Sequence, residues 1–277
     1  MRLGAPLSGK WTNLDEWVQL VQASGYTAAY CPVGPGPDDN AAAYAQAAQK
    51  AGIVIAEVGA WSNPIDCDPA KARAAITHCQ KSLDLAERIA ARCCVNIAGS
   101  RSPVTWHGPY HTNFSRETFD MIVATTREII DAVKPKRTWF TLEAMPYIFP
   151  SSPDEYLDLM RAIDRPGLGV HLDPVNMINA PARYYNNADL IRECFAKLGP
   201  YIKSCHGKDI IMHDKLTIQF DECRPGAGFL DYGVFLRELS KLDRDTTLML
   251  EHLPDEEYPL AARYVRSVAF EHNLELL

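Results

Sequence analysis

Residues 168–176 read LGVHLDPVN. In an extended chain successive side chains point to opposite faces, so Leu168, Val170 and Leu172 share one side while Gly169, His171 and Asp173 share the other. A short apolar run that stops at Pro174 has the character of a fully buried strand. A strand of that kind that ends in a carboxylate, with an imidazole on the same side, asks for a chemical reason. Other apolar runs in the same half of the chain also end in an ionisable group.

Strand-like runs recur at 2–7 (RLGAPL), 27–33 (TAAYCPV), 53–60 (IVIAEVGA), 92–99 (RCCVNIAG), 138–145 (TWFTLEAM), 168–175, 201–209 (YIKSCHGKD) and 246–253 (TTLMLEHL). Between them lie segments with helical spacing of apolar residues, from NLDEWVQLVQASG near the start to EYPLAARYVRSVAF near the end. Several open on a capping Asn, Ser or Asp, and several stop at Gly or just before Pro, as at Ser24-Gly25, Lys134-Pro135 and Gly199-Pro200. Strand and helix alternating in this way predict a parallel sheet, and closing it gives an α/β fold of the (β/α)8 TIM barrel type. A doubly wound open sheet is the structural alternative, but no G-x-G-x-x-G follows the first strand. No linker divides the chain, so residues 1–277 are expected to form a single domain. One long insertion, IIMHDKLTIQFDECRPGAG, follows the seventh strand, and its LTIQF is expected to be half of a hairpin laid over the barrel mouth.

The composition, 47% hydrophobic and 23% charged, is that of an ordinary globular protein with material for a large core. The formal charge is −7 and there is no Lys/Arg-rich block, so nucleic acid is a poor partner. The chain opens MRLGAPLSGKW, without an apolar signal core, and no apolar run approaches the length of about 20 residues needed for a membrane span. A cytoplasmic location without membrane contact is the expectation. Homo-oligomerisation is left open. The eight cysteines include no C-x-x-C pair and read as buried, reduced thiols.

Alternation fixes the register of each late strand. Thr141 aligns with Glu143, Gly169 and His171 with Asp173, Ile202 and Ser204 with His206, and Met249 with Glu251. Glu143, Asp173, His206 and Glu251 then close strands five to eight, at the C-terminal mouth where barrel enzymes keep their chemistry. Any one acid at a strand end serves equally well as a helix cap or the partner of a loop Arg. Four such groups at one depth on consecutive strands favour a shared site. Three converging carboxylates repel one another unless something neutralises them, and a divalent cation does so. Oxygen-rich ligands with one imidazole suit Mn²⁺, Mg²⁺, Co²⁺ or Zn²⁺.

The motifs LEAMP, HLDPVN, SCHGKD and LEHL, in this order, resemble those of the xylose isomerase-like TIM barrels, the sugar phosphate isomerase/epimerase group. That group includes D-tagatose and D-psicose 3-epimerases, hydroxypyruvate isomerase, inosose dehydratase and endonuclease IV. The resemblance covers essentially the whole barrel. It implies a metal held by Glu143, Asp173, His206 and Glu251, with Arg224 of RPGAGFLDY available for a substrate oxygen. It also implies sugar isomerisation or epimerisation by proton transfer beside a carbonyl through a metal-bound enediolate, with Glu143 and Glu251 as the acid/base pair.

The match is incomplete. Where ketose 3-epimerases carry a further Glu and a His, this chain has Phe149 and Asn176. The extra metal ligands of endonuclease IV are missing too, with Gln219 and Asp221 in the insertion. Asn176 is available for a substrate hydroxyl, and Phe149, Tyr147 and Trp106 for an apolar wall or for loop packing. His107 is a candidate general acid or substrate ligand, with His111 beside it an equally available choice and a surface histidine the plain reading of both. His171 is expected to hydrogen-bond a ligand carboxylate or to be a satisfied core residue, and it is also a candidate for substrate contact. Lys208 is expected to neutralise an enediolate oxygen or to pair with Asp209. Glu57 and Trp61 are candidates to line the pocket, unless Glu57 pairs with a core Arg. The rivals to a sugar isomerase are a metal-dependent lyase that dehydrates a keto-sugar or keto-inositol, with His107 as acid, and a non-catalytic sugar-binding or partner subunit.

Overall fold

The computed structural model describes residues 1–36 and 40–277. In chain order the elements are β1 (Arg2–Gly4), α1 (Leu14–Ala23), β2 (Ala28–Tyr30), α2 (Ala41–Lys50), β3 (Val54–Gly59), α3 (Pro69–Ile89), β4 (Cys93–Ile97), α4 (Arg116–Val133), β5 (Phe140–Glu143) and α5 (Pro153–Ile163). They continue with β6 (Leu168–Leu172), α6 (Pro181–Tyr185), α7 (Asn187–Leu198), β7 (Ile202–Gly207), β8 (Asp209–His213), β9 (Gln219–Cys223), α8 (Tyr232–Leu239), β10 (Thr247–Leu250) and α9 (Tyr258–Glu271). Eight strands form one parallel sheet in the order β1-β10-β7-β6-β5-β4-β3-β2, and the helices surround it as a nearly closed TIM barrel. At the seam between β1 and β2 the Thr27 amide donates to the Leu3 carbonyl at 3.1 Å. All eight expected strands are present, each shorter than its apolar run.

Local chemistry sets the helix ends. Asn13, Asp68, Ser115, Ser152 and Asp231 each accept a backbone N–H of the first turn, and Pro69 and Pro153 begin α3 and α5 where a missing N–H costs nothing. Lys134 ends α4 in a left-handed conformation just before Pro135, as the sequence suggested.

The main core lies between the strands and the helices, and includes Leu3, Ile55, Val58, Leu142, Val170, Leu172, Leu248 and Leu250 from the sheet. Each such side chain stabilises the fold by about 1.5–3 kcal/mol on burial. Inside the barrel the apolar material is slight: Ala28, Ala56 and Met249, with Tyr30 against them. Polar groups fill much of the interior instead, with Glu57, Thr141, His171, Ser204 and Thr247 all buried.

Two register shifts matter for the site. One places Ala29 opposite Ile55 but Tyr30 opposite Glu57, so Ala56 is an extra residue in β3. The other places Val170 opposite Ile202 but His171 opposite Ser204, so Lys203 is extra in β7. Strict alternation therefore fails there, and Ile202, expected to line up with Ser204, packs instead in the cluster of Val170, Leu172 and Cys205. Such bulges re-aim side chains, and they recur beside active sites.

The insertion after β7 is a two-stranded antiparallel hairpin of β8 and β9. Its second strand begins at Gln219, later than the expected LTIQF, and Leu216 lies fully exposed in the turn. Cys79, Cys93, Cys94, Cys194 and Cys205 are buried thiols, as expected, whereas Cys67 is exposed and Cys223 half-buried. Among the described residues no helix is long and apolar enough to cross a membrane.

Gly4 closes the seam tightly: a Cβ there would lie 2.5 Å from the Ala28 carbonyl oxygen and 2.7 Å from the Met249 side chain. The Ala28 oxygen belongs to the backbone of a paired strand and cannot yield. Gly4→Ala should therefore destabilise the protein by about 1–3 kcal/mol. Urea titration should show it as a lower midpoint with an unchanged slope.

Candidate metal centre

Parallel strands of a barrel bring their C-terminal ends to one mouth. Glu143 ends β5, Asp173 follows β6, His206 lies near the end of β7 and Glu251 follows β10, so four neighbouring strands deliver four ionisable groups at one level. Each offers a ligand atom within 4.8 Å of those of the others, and all four are buried. His206 Nδ1 lies 3.1 Å from Glu143 Oε1 and 3.0 Å from Glu251 Oε2.

Lys208 enters the same cluster. Its ammonium lies 2.9 Å from Asp173 Oδ2, 3.0 Å from Glu251 Oε1 and 2.9 Å from Glu222 Oε1 on the hairpin. It also donates to Asn176 Oδ1 at 3.2 Å. Lys208 does not pair with Asp209, whose carboxylate instead accepts the backbone amides of Ile210, Gly226, Gly228 and Leu230. The contacts to Asp173 and Glu251 are ion pairs without hydrogen-bond alignment, so Asp173 Oδ2 and Glu251 Oε1 stay buried without a hydrogen bond. Three buried carboxylates and one imidazole with ligand atoms within 4.8 Å of one another are a donor set that fits a hard divalent cation.

The electrostatics point the same way. Burial pushes the Asp173 carboxyl up to about 7, with Glu143 and Glu251 adding to the effect and Lys208 opposing it. Burial also opposes ionisation of Glu251, but His206 and Lys208 outweigh it and hold this group at about 2. Burial disfavours the His206 imidazolium, yet Glu251, Glu143 and Glu57 raise it well above the ordinary histidine value. Lys208 is raised in the same way by Asp173, Glu251, Glu143 and Glu222 after its burial is overcome. Of the three carboxyls, Asp173 alone is raised, while Glu143 and Glu251 are lowered.

The remaining sequence candidates divide. Asn176 is spent within the cluster: its amide donates to Glu143 Oε1 at 3.0 Å while its oxygen accepts from Lys208. Trp61 is 43% exposed, with its ring 6.4 Å from that of His206, and so stands at the mouth. His171 is fully buried and contacts Glu57 Oε1 at 2.9 Å, and its Nδ1 has no hydrogen-bond partner, so it does not bond Asp173. Among the described residues Glu57 pairs with no Arg, since Ser204 and the two histidines face it. His107 and His111 are exposed, packed on Trp106 and Tyr110, and are not in the carboxylate group. Arg224 bonds the Pro225 carbonyl at 3.0 Å and lies 3.7 Å from Glu257. Phe149 serves loop packing, edge-on to Phe114 and Phe119. Tyr147 has a buried hydroxyl without a partner, and burial together with Glu143 pushes it up to about 12, so it remains a neutral donor. Asp221 pairs with His213 on the exposed hairpin, away from the cluster.

Two residues of the site were missed in the sequence, Glu222 and His252. Glu222 Oε2 lies 2.9 Å from His252 Nδ1, so the hairpin is fastened to the residue after Glu251 as well as to Lys208. The signal was the register of the hairpin: Glu222 lies opposite the buried Ile210.

The profile of the xylose isomerase-like TIM barrel family matches residues 18–270. The chain belongs to this family. Among solved structures, this xylose isomerase-like barrel is similar to L-ribulose 3-epimerase, with TM-score 0.70, 15% identity and coverage of 98% of this chain and 94% of the other. It is also similar to the probable 3-DHS dehydratase AsbF of Bacillus anthracis, with TM-score 0.71, 16% identity and coverage of 96% and 98%. A xylose isomerase-like TIM barrel protein of Mycobacterium smegmatis, solved in complex with magnesium, has TM-score 0.66, 15% identity and coverage of 93% and 88%. At these identities the likeness shows the fold. A sequence search of curated proteins finds no match.

The Glu222 clasp carries a pH signature. Burial opposes its ionisation, but the His252 hydrogen bond and Lys208 hold it at about 2, below the ordinary 4.5. A depressed carboxyl contributes stability that is full above about 4.5 and lost as pH falls toward 2. Because the side chain is partly exposed, Glu222→Gln should cost less than about 1 kcal/mol at pH 7. Denaturation at a series of pH values should show the variant and parent converging in acid.

Proposed function

We propose that the chain is a divalent-metal-dependent sugar isomerase or epimerase that moves a proton on the carbon beside a carbonyl. What carries the reading is the convergence of three buried carboxylates and one imidazole on a point where Asp173 Oδ2 and Glu251 Oε1 lack hydrogen bonds. Family members and structural neighbours are mostly enzymes, and several act on sugars, which supports a small sugar or polyol substrate.

Glu143, Asp173, His206 and Glu251 would hold the metal, Mn²⁺, Mg²⁺, Co²⁺ or Zn²⁺. The cation would supply Lewis-acid polarisation of the substrate carbonyl, which makes the neighbouring C–H more acidic. Glu143 and Glu251 come from β5 and the end of β10, with β6 and β7 between them, and would flank a sugar held at the mouth. One removes the proton from carbon and the other returns it, on the opposite face or at the neighbouring carbon. Lys208 holds positive charge beside both Asp173 and Glu251 and would draw the electron density that develops on a substrate oxygen. The Trp61 indole offers an apolar surface to the C–H face of a sugar.

Incubating the metal-loaded protein with a panel of ketoses in D2O tests this directly. An isomer or epimer carrying solvent deuterium on the reacting carbon is the expected product. Glu143→Gln and Glu251→Gln should each slow the exchange by about 10²- to 10⁴-fold. A dehydrated, ultraviolet-absorbing product would reassign the protein as a lyase of the kind represented by the dehydratase neighbour. Tight sugar binding with no carbon–hydrogen exchange would refute catalysis and leave a sugar-binding subunit.

A further inference from the structure

Below the four groups at the mouth lies a second polar layer that the proposed reaction does not use. Glu57 Oε1 accepts the Ser204 hydroxyl at 2.5 Å and lies 2.9 Å from His171 Nε2. Its other oxygen lies 3.3 Å from His206 Nε2. Ser204 is in turn 2.7 Å from the Thr247 hydroxyl. Glu57, His171, Ser204, His206 and Thr247 are each at most 1% exposed. A carboxylate placed this deep is costly unless hydrogen bonds and positive charge meet it on every side. Its presence asks what it supports.

We infer that Glu57 is a positioning residue for His206, fixing which ring nitrogen of that imidazole faces the metal centre; the inference rests on the proposed metal site. The ring nitrogens of His206 face in opposite directions, Nδ1 to Glu143 and Glu251 and Nε2 to Glu57. A neutral imidazole has one N–H and one lone pair, and the N–H goes to the better acceptor. A cation engaged by Glu143 and Glu251 would displace the proton that those two carboxylates favour at Nδ1, leaving Glu57, 3.3 Å from Nε2, as the acceptor for the remaining N–H and the Nδ1 lone pair for the cation. A carboxylate behind a ligating imidazole also makes the ring a stronger ligand.

His171 supports the assignment independently. Its Nδ1 is buried without a partner. A bare lone pair is the less costly orphan, which places the His171 proton on Nε2, donated to Glu57 Oε1. With Ser204 bonded to that same oxygen, Glu57 Oε2 is left for His206. The two register shifts belong to this arrangement: the extra residue in β3 immediately precedes Glu57, and the extra residue in β7 immediately precedes Ser204. The backbone is irregular at the two points that bring these side chains together inside the barrel.

Glu57, His171 and His206 also lie close enough to share an ion themselves. Against this, Ser204 already fills Glu57 Oε1, the separations are those of hydrogen bonds, and the group has no solvent access. The positioning role therefore leaves the protein with one ion.

The test uses Mn²⁺ alone, with free ion followed by electron paramagnetic resonance during titration of the full-length protein. The parent should bind one equivalent, and Glu57→Gln should bind about 10- to 100-fold more weakly, with far-ultraviolet circular dichroism unchanged. Two-bond ¹H–¹⁵N spectra of histidine-labelled, Mg²⁺-loaded parent protein should show His206 with its proton on Nε2. That spectrum decides the matter even if Glu57→Gln does not fold. A His206 proton on Nδ1, or a folded Glu57→Gln variant that binds Mn²⁺ as the parent does, would overturn the inference and leave the proposed function standing. Two bound equivalents, one of them lost in Glu57→Gln, would overturn it in favour of a second site. A parent that binds no divalent ion would overturn the proposed function and this inference with it.

Discussion

The structure turns on the burial of several carboxylates around a few positive groups. Glu143, Asp173 and Glu251 lie at the barrel mouth within the reach of a single ligand sphere, and Glu57 and Glu222 stand just below and above them. The protein's own positive groups here are Lys208, His206 and, at the rim, His252. Burial still pushes Asp173 up to about 7, against the pull of Lys208, with Glu143 and Glu251 adding to the rise. The ligand atoms of Glu143, Asp173, His206 and Glu251 lie close enough together to hold one cation, and such a charge would relieve the crowding of the carboxylates.

The rest of the barrel serves that cluster in layers. The floor is polar where such barrels more often pack branched aliphatic side chains, and Glu57, His171, Ser204 and Thr247 tie strands β3, β6, β7 and β10 together across the interior. Stability then falls to the outer layer, where the strands' alternate faces pack against the helices. Above the mouth, the hairpin contributes Glu222 and is fastened to Lys208 and His252. His252 adopts a left-handed backbone, φ 56°, directly after Glu251, so two consecutive residues both face the mouth.

Fold and mouth were legible in the sequence for a simple reason. Parallel strands buried on both faces leave a strong apolar signal, and Glu143, Asp173, His206 and Glu251 each sit at the end of one. Two kinds of feature were not legible. A bulge breaks the alternation on which register rests, so Ile202 was placed on the wrong face and the partners of Glu57 could not be read. Contacts between distant segments leave no local trace either. His171, read as the partner of a ligand carboxylate or as a satisfied core residue, has its partner Glu57 114 positions away. Of the two readings for Lys208, a substrate oxygen or Asp209, the second fails because that aspartate is engaged with backbone amides of the following loop.

The most direct measurement is a crystal grown with Mn²⁺ and diffracted at a wavelength where manganese scatters anomalously. A single anomalous peak bonded to Glu143, Asp173, Glu251 and His206 Nδ1, with Lys208 turned away from at least one carboxylate, is the expected result. No peak among these side chains, with Lys208 still seated between Asp173 and Glu251, would contradict a shared cation and the proton-transfer chemistry built upon it.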